Sequence, residues 1–427
     1  MKMTGVRAKM RPRTNSPSMS SLSPSATLTP TPAGVARTPE PFPGWPRFDR
    51  DETDAALRVL TSGKVNYWTG EEGREFEREF ARFAGTKLAS VLGNGTFALD
   101  LALRGAGVGS GDEVVVTPRT FIASISSVVL LGAKPVFADV DRDSGNITAA
   151  SIERVLTPRT KAIIPVHLGG FPCDLDPIVA LAKARGIALL EDCAQAHGAT
   201  YRGRSVGSFG LIGSWSFCQD KIMTTGGEGG MITLDDEELW RRAWSFKDHG
   251  KSFDAVYRRS HAPGFRWLHE SFGTNYRLTE PQSAIGRIQL RKLDSWVSTR
   301  RLHAARLTEA LAGLSALRLP EIPSWAGHAY YKYYAYVRPE ALRADWSRDR
   351  IMQEVGSLGV TCLAGSCSEV YLEKAFEGTG FAPPERLPVA KELGETTLML
   401  LVHPTLTSSH VDQAADALRS ILLKAQR

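Results

Sequence analysis

The sequence predicts an α/β protein built on a mostly parallel sheet. Three observations carry this. Short, largely apolar runs such as Glu113–Thr117, Lys134–Ala138, Ala162–Val166 and Ile187–Leu190 have the unbroken hydrophobicity of strands buried on both faces. Segments with helical spacing separate them, the pattern of crossover connections. A chain of 427 residues, 42% hydrophobic and 23% charged, is long enough for one large domain and a smaller one around a substantial core.

The elements follow in order. Residues 1–42 are a Ser/Thr/Pro-rich basic tail, poor in apolar residues and expected to be disordered. Lys2, Arg7, Lys9, Arg11, Arg13 and Arg37 lie within residues 1–39 beside no acid, and account for the whole formal net charge of +6. The body is therefore near neutral and lacks the bulk charge that drives binding to a nucleic-acid backbone. The tail has no continuous apolar stretch of a secretory signal. No run approaches the ~20 apolar residues of a membrane span.

From Trp45 strands and helices alternate. Thr53–Leu60 and Glu75–Phe83 read as helices, the second with Phe76, Phe80 and Phe83 on one face. Leu88–Leu92 is a strand, and the turn Gly93-Asn94-Gly95-Thr96 opens a helix through Leu99 and Leu103. The strand Glu113–Thr117 is broken by Pro118, and the helix Phe121–Leu131 is ended by Gly132. Lys134–Ala138 is a strand, Ile152–Leu156 a short helix, Ala162–Val166 a strand, and Leu175–Ala184 a helix stopped by Gly186. The strand Ile187–Leu190 delivers Glu191 and Asp192. Trp215–Phe217 and Met231–Leu234 flank a Gly-rich loop. The long helix Arg287–Leu311 leads to a smaller α/β domain, with a strand at Tyr330–Val337 and helices at Asp349–Leu358 and Val411–Leu423. The expected division is 43–290 for the large domain and 291–427 for the small one with its linking helix.

Candidate chemistry sits at the carboxyl ends of the strands, where ligands bind in open parallel sheets. Lys221 lies in Ser216-Phe217-Cys218-Gln219-Asp220-Lys221-Ile222-Met223-Thr224-Thr225-Gly226-Gly227-Glu228-Gly229-Gly230. A lysine amine attacks an aldehyde when neutral, so partial burial or a nearby charge favours it. The small residues beside it let the backbone approach a flat cofactor. Asp192, in Glu191-Asp192-Cys193-Ala194-Gln195-Ala196-His197-Gly198, can pair with a protonated pyridine nitrogen. Gln195 can reach a ring hydroxyl. The Gly95-Thr96 helix start offers N–H groups and a dipole to a phosphate, and Ser216 can add a hydroxyl. Phe121 can stack on the ring. Taken singly these residues read equally well as a surface lysine, a helix cap and core packing. Together they are what pyridoxal 5′-phosphate (PLP) requires of a protein. Competing phosphate motifs, GxxxxGK[ST] or GxGxxG after a strand, are absent. Cys173, Cys193, Cys218, Cys362 and Cys367 are odd in number and lack CxxC pairing, so no metal site or disulfide framework is expected and reduced thiols in the cytoplasm are.

In combination, Gly95-Thr96-Phe97-Ala98-Leu99, Thr120-Phe121-Ile122-Ala123-Ser124, the Glu191–Gly198 segment, the Ser216–Gly230 loop and Asn275-Tyr276-Arg277-Leu278 resemble the DegT/DnrJ/EryC1/StrS family of sugar aminotransferases. The likeness runs from Trp45 to the C-terminus. It implies aminotransferase fold type I, with a mostly parallel seven-stranded sheet in the large domain. It also implies that Lys221 links covalently to PLP, Asp192 pairs with the ring nitrogen, Gln195 contacts the ring hydroxyl and Phe121 stacks on the ring. Gly95, Thr96 and Ser216 bind the phosphate, and Asn275 reaches the phosphate site of a neighbouring subunit in a homodimer. The implied reaction moves an amino group from glutamate or glutamine to a keto sugar, nucleotide-linked in many members, in amino-sugar, surface-polysaccharide or secondary-metabolite synthesis. Family dehydratases carry histidine where Lys221 stands. A dehydratase or cyclitol-type enzyme of the same family, and a non-catalytic regulator, are the alternatives. The chain departs from many members at Val360-Thr361-Cys362-Leu363-Ala364-Gly365-Ser366-Cys367-Ser368-Glu369, which contains no His-Tyr-x-Pro segment. Lys247, His249 and Lys251 are candidate contacts for a nucleotide diphosphate, with a solvated basic loop as the alternative.

Overall fold

The computed structural model describes residues 41–260 and 267–427. The tail of residues 1–42 lies, up to residue 40, outside the described residues. The described residues fall in one compact unit.

The larger sheet has seven strands, in spatial order Leu88–Leu92, Gly230–Leu234, Ile212–Ser216, Ala188–Asp192, Thr160–Ile164, Glu113–Val116 and Lys134–Phe137. Gly230–Leu234 runs antiparallel to both neighbours, and the remaining pairings are parallel. Successive side chains enter different cores, as the two-residue period of a strand requires. Val114 and Val116 pack with the helices Gly95–Gly105, Ala123–Leu130 and Glu237–Lys247, whereas Val115 packs on the side of Glu72–Ala84 and Leu175–Arg185. Both faces are thus covered, which explains the continuous apolar runs.

A second sheet orders Leu317–Arg318, Tyr333–Val337, Thr397–Leu400 and Cys362–Leu363, all antiparallel. Tyr333, Ala335 and Val337 pack with the helices Arg348–Ser357 and Ser408–Ala425, while Tyr334 and Tyr336 join the core of the larger sheet. The helix Glu280–Leu311 belongs to both: Leu293 and Val297 contribute to the larger core, and Ala304, Leu307 and Leu311 to the smaller.

Several boundaries differ from expectation for identifiable reasons. The long helix begins at Glu280, not Arg287, because Pro281 is tolerated in a first turn and the small Ser283, Ala284 and Gly286 hide its apolar period. Glu280 is buried and accepts the N–H groups of Glu72 (2.6 Å) and Gly73 (3.1 Å), which caps another helix from a distance. The short helix expected at Ile152–Leu156 is Ala149–Glu153, started by the Thr148 hydroxyl accepting from the Ser151 N–H. The helix expected from Phe121 begins at Ala123, leaving Phe121 in the loop before it.

Candidate active site

Adjacent carboxylates end the strand Ala188–Asp192, and they behave oppositely. Glu191 is fully buried. It accepts the N–H groups of Gly207 (2.7 Å), Phe209 (2.7 Å) and Gly210 (2.8 Å) and faces His167 Nε2 at 3.1 Å. Burial alone would raise its pKa, but the His167 and backbone donors hold it below the usual carboxylate range. Asp192, on the opposite face, accepts the Ser124 hydroxyl at 2.8 Å and the Ala194 N–H at 3.1 Å. Burial raises its pKa even though those bonds and the charges of Lys221 and His167 act the other way. Among the described residues it has no cation in salt-bridge contact. A buried carboxyl without a paired cation suits a protonated ring nitrogen.

Lys221 sits between two antiparallel strands in a loop that threonines hold in shape. The buried Thr224 hydroxyl donates to the Phe217 carbonyl (2.8 Å) and accepts the Gly227 N–H, and the Thr224 N–H donates to Gln289 Oε1 (2.8 Å). Gly226 and Gly227 take φ of 84° and 127°, which larger residues resist. The Lys221 side chain is 15% exposed, with its Nζ 5.1 Å from the centroid of the Tyr331 ring and 4.0 Å from Asp220 Oδ1. The Tyr331 hydroxyl donates to Asp220, and Lys332 Nζ lies 4.6 Å from the same ring. The Trp45 indole N–H donates to the Lys221 carbonyl at 2.7 Å.

The other expected residues distribute as follows. Gly95 opens its helix directly against Ser216: a Cβ there would stand 2.5 Å from Ser216 Cβ. Asn94 Oδ1 accepts the Phe97 N–H (2.9 Å), and Thr96 is exposed at the same helix end. Gln195 Oε1 accepts the Gly169 N–H at 2.8 Å, which leaves the Gln195 amide nitrogen as donor. Phe121 is 69% exposed, one turn from Ser124. Asn275 is exposed, and its neighbour Tyr276 accepts the Gly93 N–H at 2.8 Å beside the Gly95 turn. His197 is buried against Trp215 and Phe217, and burial pushes its pKa down to about 3.

Two expectations are corrected. Lys247 is wholly buried, and its ammonium spends all three N–H donors on Glu77 (2.8 Å), the Ser90 hydroxyl (2.7 Å) and the Val91 carbonyl (3.3 Å). Lys251 is held by buried Asp248 (2.9 Å) and lies 4.2 Å from the Trp68 ring centroid. These lysines are internal struts, and neither a substrate contact nor a solvated basic loop describes them. His249, at φ 60°, remains exposed. Sequence reasoning gave no role to Ser124, Glu191, Tyr331 or Trp45. Ser124 had a local signal, three residues after Phe121 in a helix start; Tyr331 and Trp45 are remote in sequence and had none.

A family model described as the DegT/DnrJ/EryC1/StrS aminotransferase family matches residues 46–419. The chain belongs to this family. A Streptomyces venezuelae dTDP-3-amino-3,4,6-trideoxy-α-D-glucose transaminase is 37% identical over 372 residues, covering 87% of this chain and 92% of the relative. The X-ray structure of an aminotransferase from Psychrobacter cryohalolentis is 58% identical with a TM-score of 0.89, covering 90% of this chain and 100% of that one. A sugar aminotransferase described as putative, Spr1654 from Streptococcus pneumoniae, solved in a PLP form (26% identical, TM-score 0.80, 89% and 97% covered) and a PMP form (27%, 0.81, 89% and 98%), shares the fold. The protein is a PLP-dependent aminotransferase of fold type I, and its residues fit the cofactor. Among the described residues Asp192 has no cation in salt-bridge contact, the Gln195 amide nitrogen is a remaining donor, Phe121 is exposed, and a Cβ at Gly95 would leave no room beside Ser216. Among the described residues, no helix is long and apolar enough to cross a membrane.

Proposed function

We propose that this aminotransferase moves an amino group from glutamate or glutamine to a nucleotide-linked keto sugar, with Lys221 as its reacting amine. The observation that carries the site assignment is the pair of a partly buried Lys221 amine, 15% exposed in a loop held by main-chain bonds, and a buried Asp192 with no cation in salt-bridge contact among the described residues. The family match and the dTDP-sugar relative support the acceptor class. Bound PLP supplies the aldehyde that takes up the amino group and a ring that withdraws electrons from the donor α-carbon.

This chain's residues do the rest. Ser124 and the Ala194 N–H fix the Asp192 carboxylate so that it favours a protonated ring nitrogen. The Gln195 amide donates to the ring oxygen. Gly95, Thr96 and Ser216 receive the phosphate at a helix N-terminus. Phe121 covers one ring face. With PLP bound, Lys221 as a free amine would take the proton from the donor α-carbon and deliver it to the cofactor carbon that carries the transferred nitrogen, acting as base and then acid. The same groups serve the acceptor in the reverse sense. A homodimer in which exposed Asn275 enters the partner's phosphate site belongs to this proposal. So does a cytoplasmic location, in keeping with five free thiols.

Borohydride reduction followed by peptide mass analysis tests the lysine: the cofactor is expected on Lys221, and a label on another lysine rejects the assignment. Asp192→Ala is expected to lose most turnover while still folding. A panel of nucleotide-linked keto sugars, read by product mass, tests the acceptor; amination confined to free cyclitols would replace it.

A further inference from the structure

We infer that Trp45 is a positioning residue for the reacting lysine. The inference rests on Lys221 being that lysine.

Trp45 lies just before the segment that the family model matches, which begins at residue 46. Its indole N–H donates to the Lys221 main-chain carbonyl at 2.7 Å, across 176 residues of sequence. Together with the Lys221 N–H bond to the Cys218 carbonyl (3.1 Å), it fixes the peptide groups on both sides of the Lys221 Cα. An amine at the end of a flexible side chain reaches a productive position only if its Cα is held, because the four-carbon stem adds its own freedom.

The indole is itself fixed from several directions. Trp296, on the linking helix, meets it edge-on at 5.1 Å, and the Arg300 guanidinium lies 5.2 Å from its centroid. His403, after the strand Thr397–Leu400, lies nearly parallel at 6.2 Å. The Thr405 hydroxyl bonds the Gly44 carbonyl at 3.0 Å, and the Phe42 ring meets His410 at 5.2 Å. One indole therefore joins the linking helix and the smaller sheet's loop to the lysine loop of the larger sheet. Arg300 also donates to the Tyr331 carbonyl (3.2 Å), and the Tyr331 ring underlies Lys221 Nζ. Main chain and side chain of Lys221 thus refer to the same support. The titratable groups around the amine are Asp192, Asp220, Cys218 and the buried His197, with Lys332 over the same Tyr331 ring opposing the acids.

Trp45→Phe retains ring packing and removes the N–H. Thr405→Val cuts the tether to Gly44 and the 2.8 Å bond between the Thr405 hydroxyl and His403 Nδ1, and leaves the indole bond to Lys221. Both are prepared as PLP-loaded protein, with cofactor content and thermal midpoint measured. In Trp45→Phe, the pH midpoint of the visible cofactor band is expected to move by about half a pH unit. The first-order rate of band loss with saturating glutamate is expected to fall roughly ten-fold, below the ~10²-fold that a 1 Å misplacement can cost. The glutamate concentration at half-maximal rate should stay within about two-fold, since donor binding is untouched. Thr405→Val is expected to lower the thermal midpoint without moving the band's pH midpoint. An unshifted band in Trp45→Phe overturns the inference, as does an equal shift in Thr405→Val, which would make the segment a mere structural strap. Borohydride labelling of wild type separates the two readings: cofactor on Lys221 with an unshifted Trp45→Phe defeats only the role of Trp45, whereas cofactor on another lysine defeats the assignment of Lys221 and this inference with it.

Discussion

The lysine loop Ser216–Gly230 and the segment Lys247–Lys251 place the same side chain in opposite states. Both carry lysine near glycine, four glycines in the first and Gly250 alone in the second, and both lie close to the larger sheet. Lys221 keeps a partly exposed ammonium over the Tyr331 ring, 5.1 Å from its centroid, with a carboxylate oxygen of Asp220 at 4.0 Å. Lys247 is buried with every donor committed, and Asp248 behind it collects Lys251 (2.9 Å) and Arg277 (2.6 Å). The difference teaches that the lysine proposed to react is distinguished by the side-chain hydrogen-bond partners it lacks among the described residues. Its loop is held by threonine hydroxyls and the Trp45 indole through main-chain groups, so the amine stays uncommitted. In the other segment the ammonium groups themselves are the glue.

Substitutions can break this contrast, and the largest effect is expected at Lys221. Lys221→Ala should lower turnover by at least the roughly 10²–10⁴-fold associated with a general acid–base group, with thermal stability near wild type. Steady-state kinetics beside calorimetry checks this, and a variant that unfolds instead would erase the contrast. Lys247→Met should do the reverse. It strands Glu77 in the core, which costs about 3–5 kcal/mol, while the folded fraction keeps its rate per bound cofactor. Denaturant unfolding measures the loss; reduced turnover in fully folded, fully loaded protein would return Lys247 to the site.

Glu191→Gln should cost about 1–3 kcal/mol, because one amide oxygen cannot accept from every donor that converges on the carboxylate. Its pH signature has a definite sign. The folded carboxyl is held below its ordinary 4.5, so its contribution is present above that value and lost as pH falls through the lower folded pKa. The Gln variant should therefore show a shallower acid limb in a stability–pH curve, and an unchanged limb would deny Glu191 its role. The smallest effect belongs to Lys251→Met, about 1–2 kcal/mol, since Asp248 keeps Arg277 while losing the Lys251 hydrogen bond, and a cation–ring contact goes with it. Urea midpoints of the single and Lys247/Lys251 double variants would show whether the two lysines act as one unit.

Much of this was legible in the residues. The apolar runs announced strands buried on both faces, and Gly93–Thr96 announced a helix start, because local spacing and turn chemistry carry those signals. The strand end bearing Asp192 and the loop bearing Lys221 were also legible, since small residues around a lysine and paired acids at a strand end leave a pattern. What failed was the reading of Lys247 and Lys251. Their charge suggested solvent or substrate; Asp248 lies three residues from Lys251, but Glu77, Ser90 and Trp68 lie far off in the chain, so a window around residue 247 contains only part of the reason for their burial.

The sequence by itself determined the order of elements and the family's motifs, because each is encoded within a few neighbouring residues. Only the tertiary structure decided which lysine is spent and which is left free, which of two adjacent acids is stabilised as a charge, and that Trp45 and Tyr331 stand against Lys221. Those outcomes depend on burial and on hydrogen bonds closed across hundreds of residues, and such contacts exist only once the two sheets and the helix between them have packed.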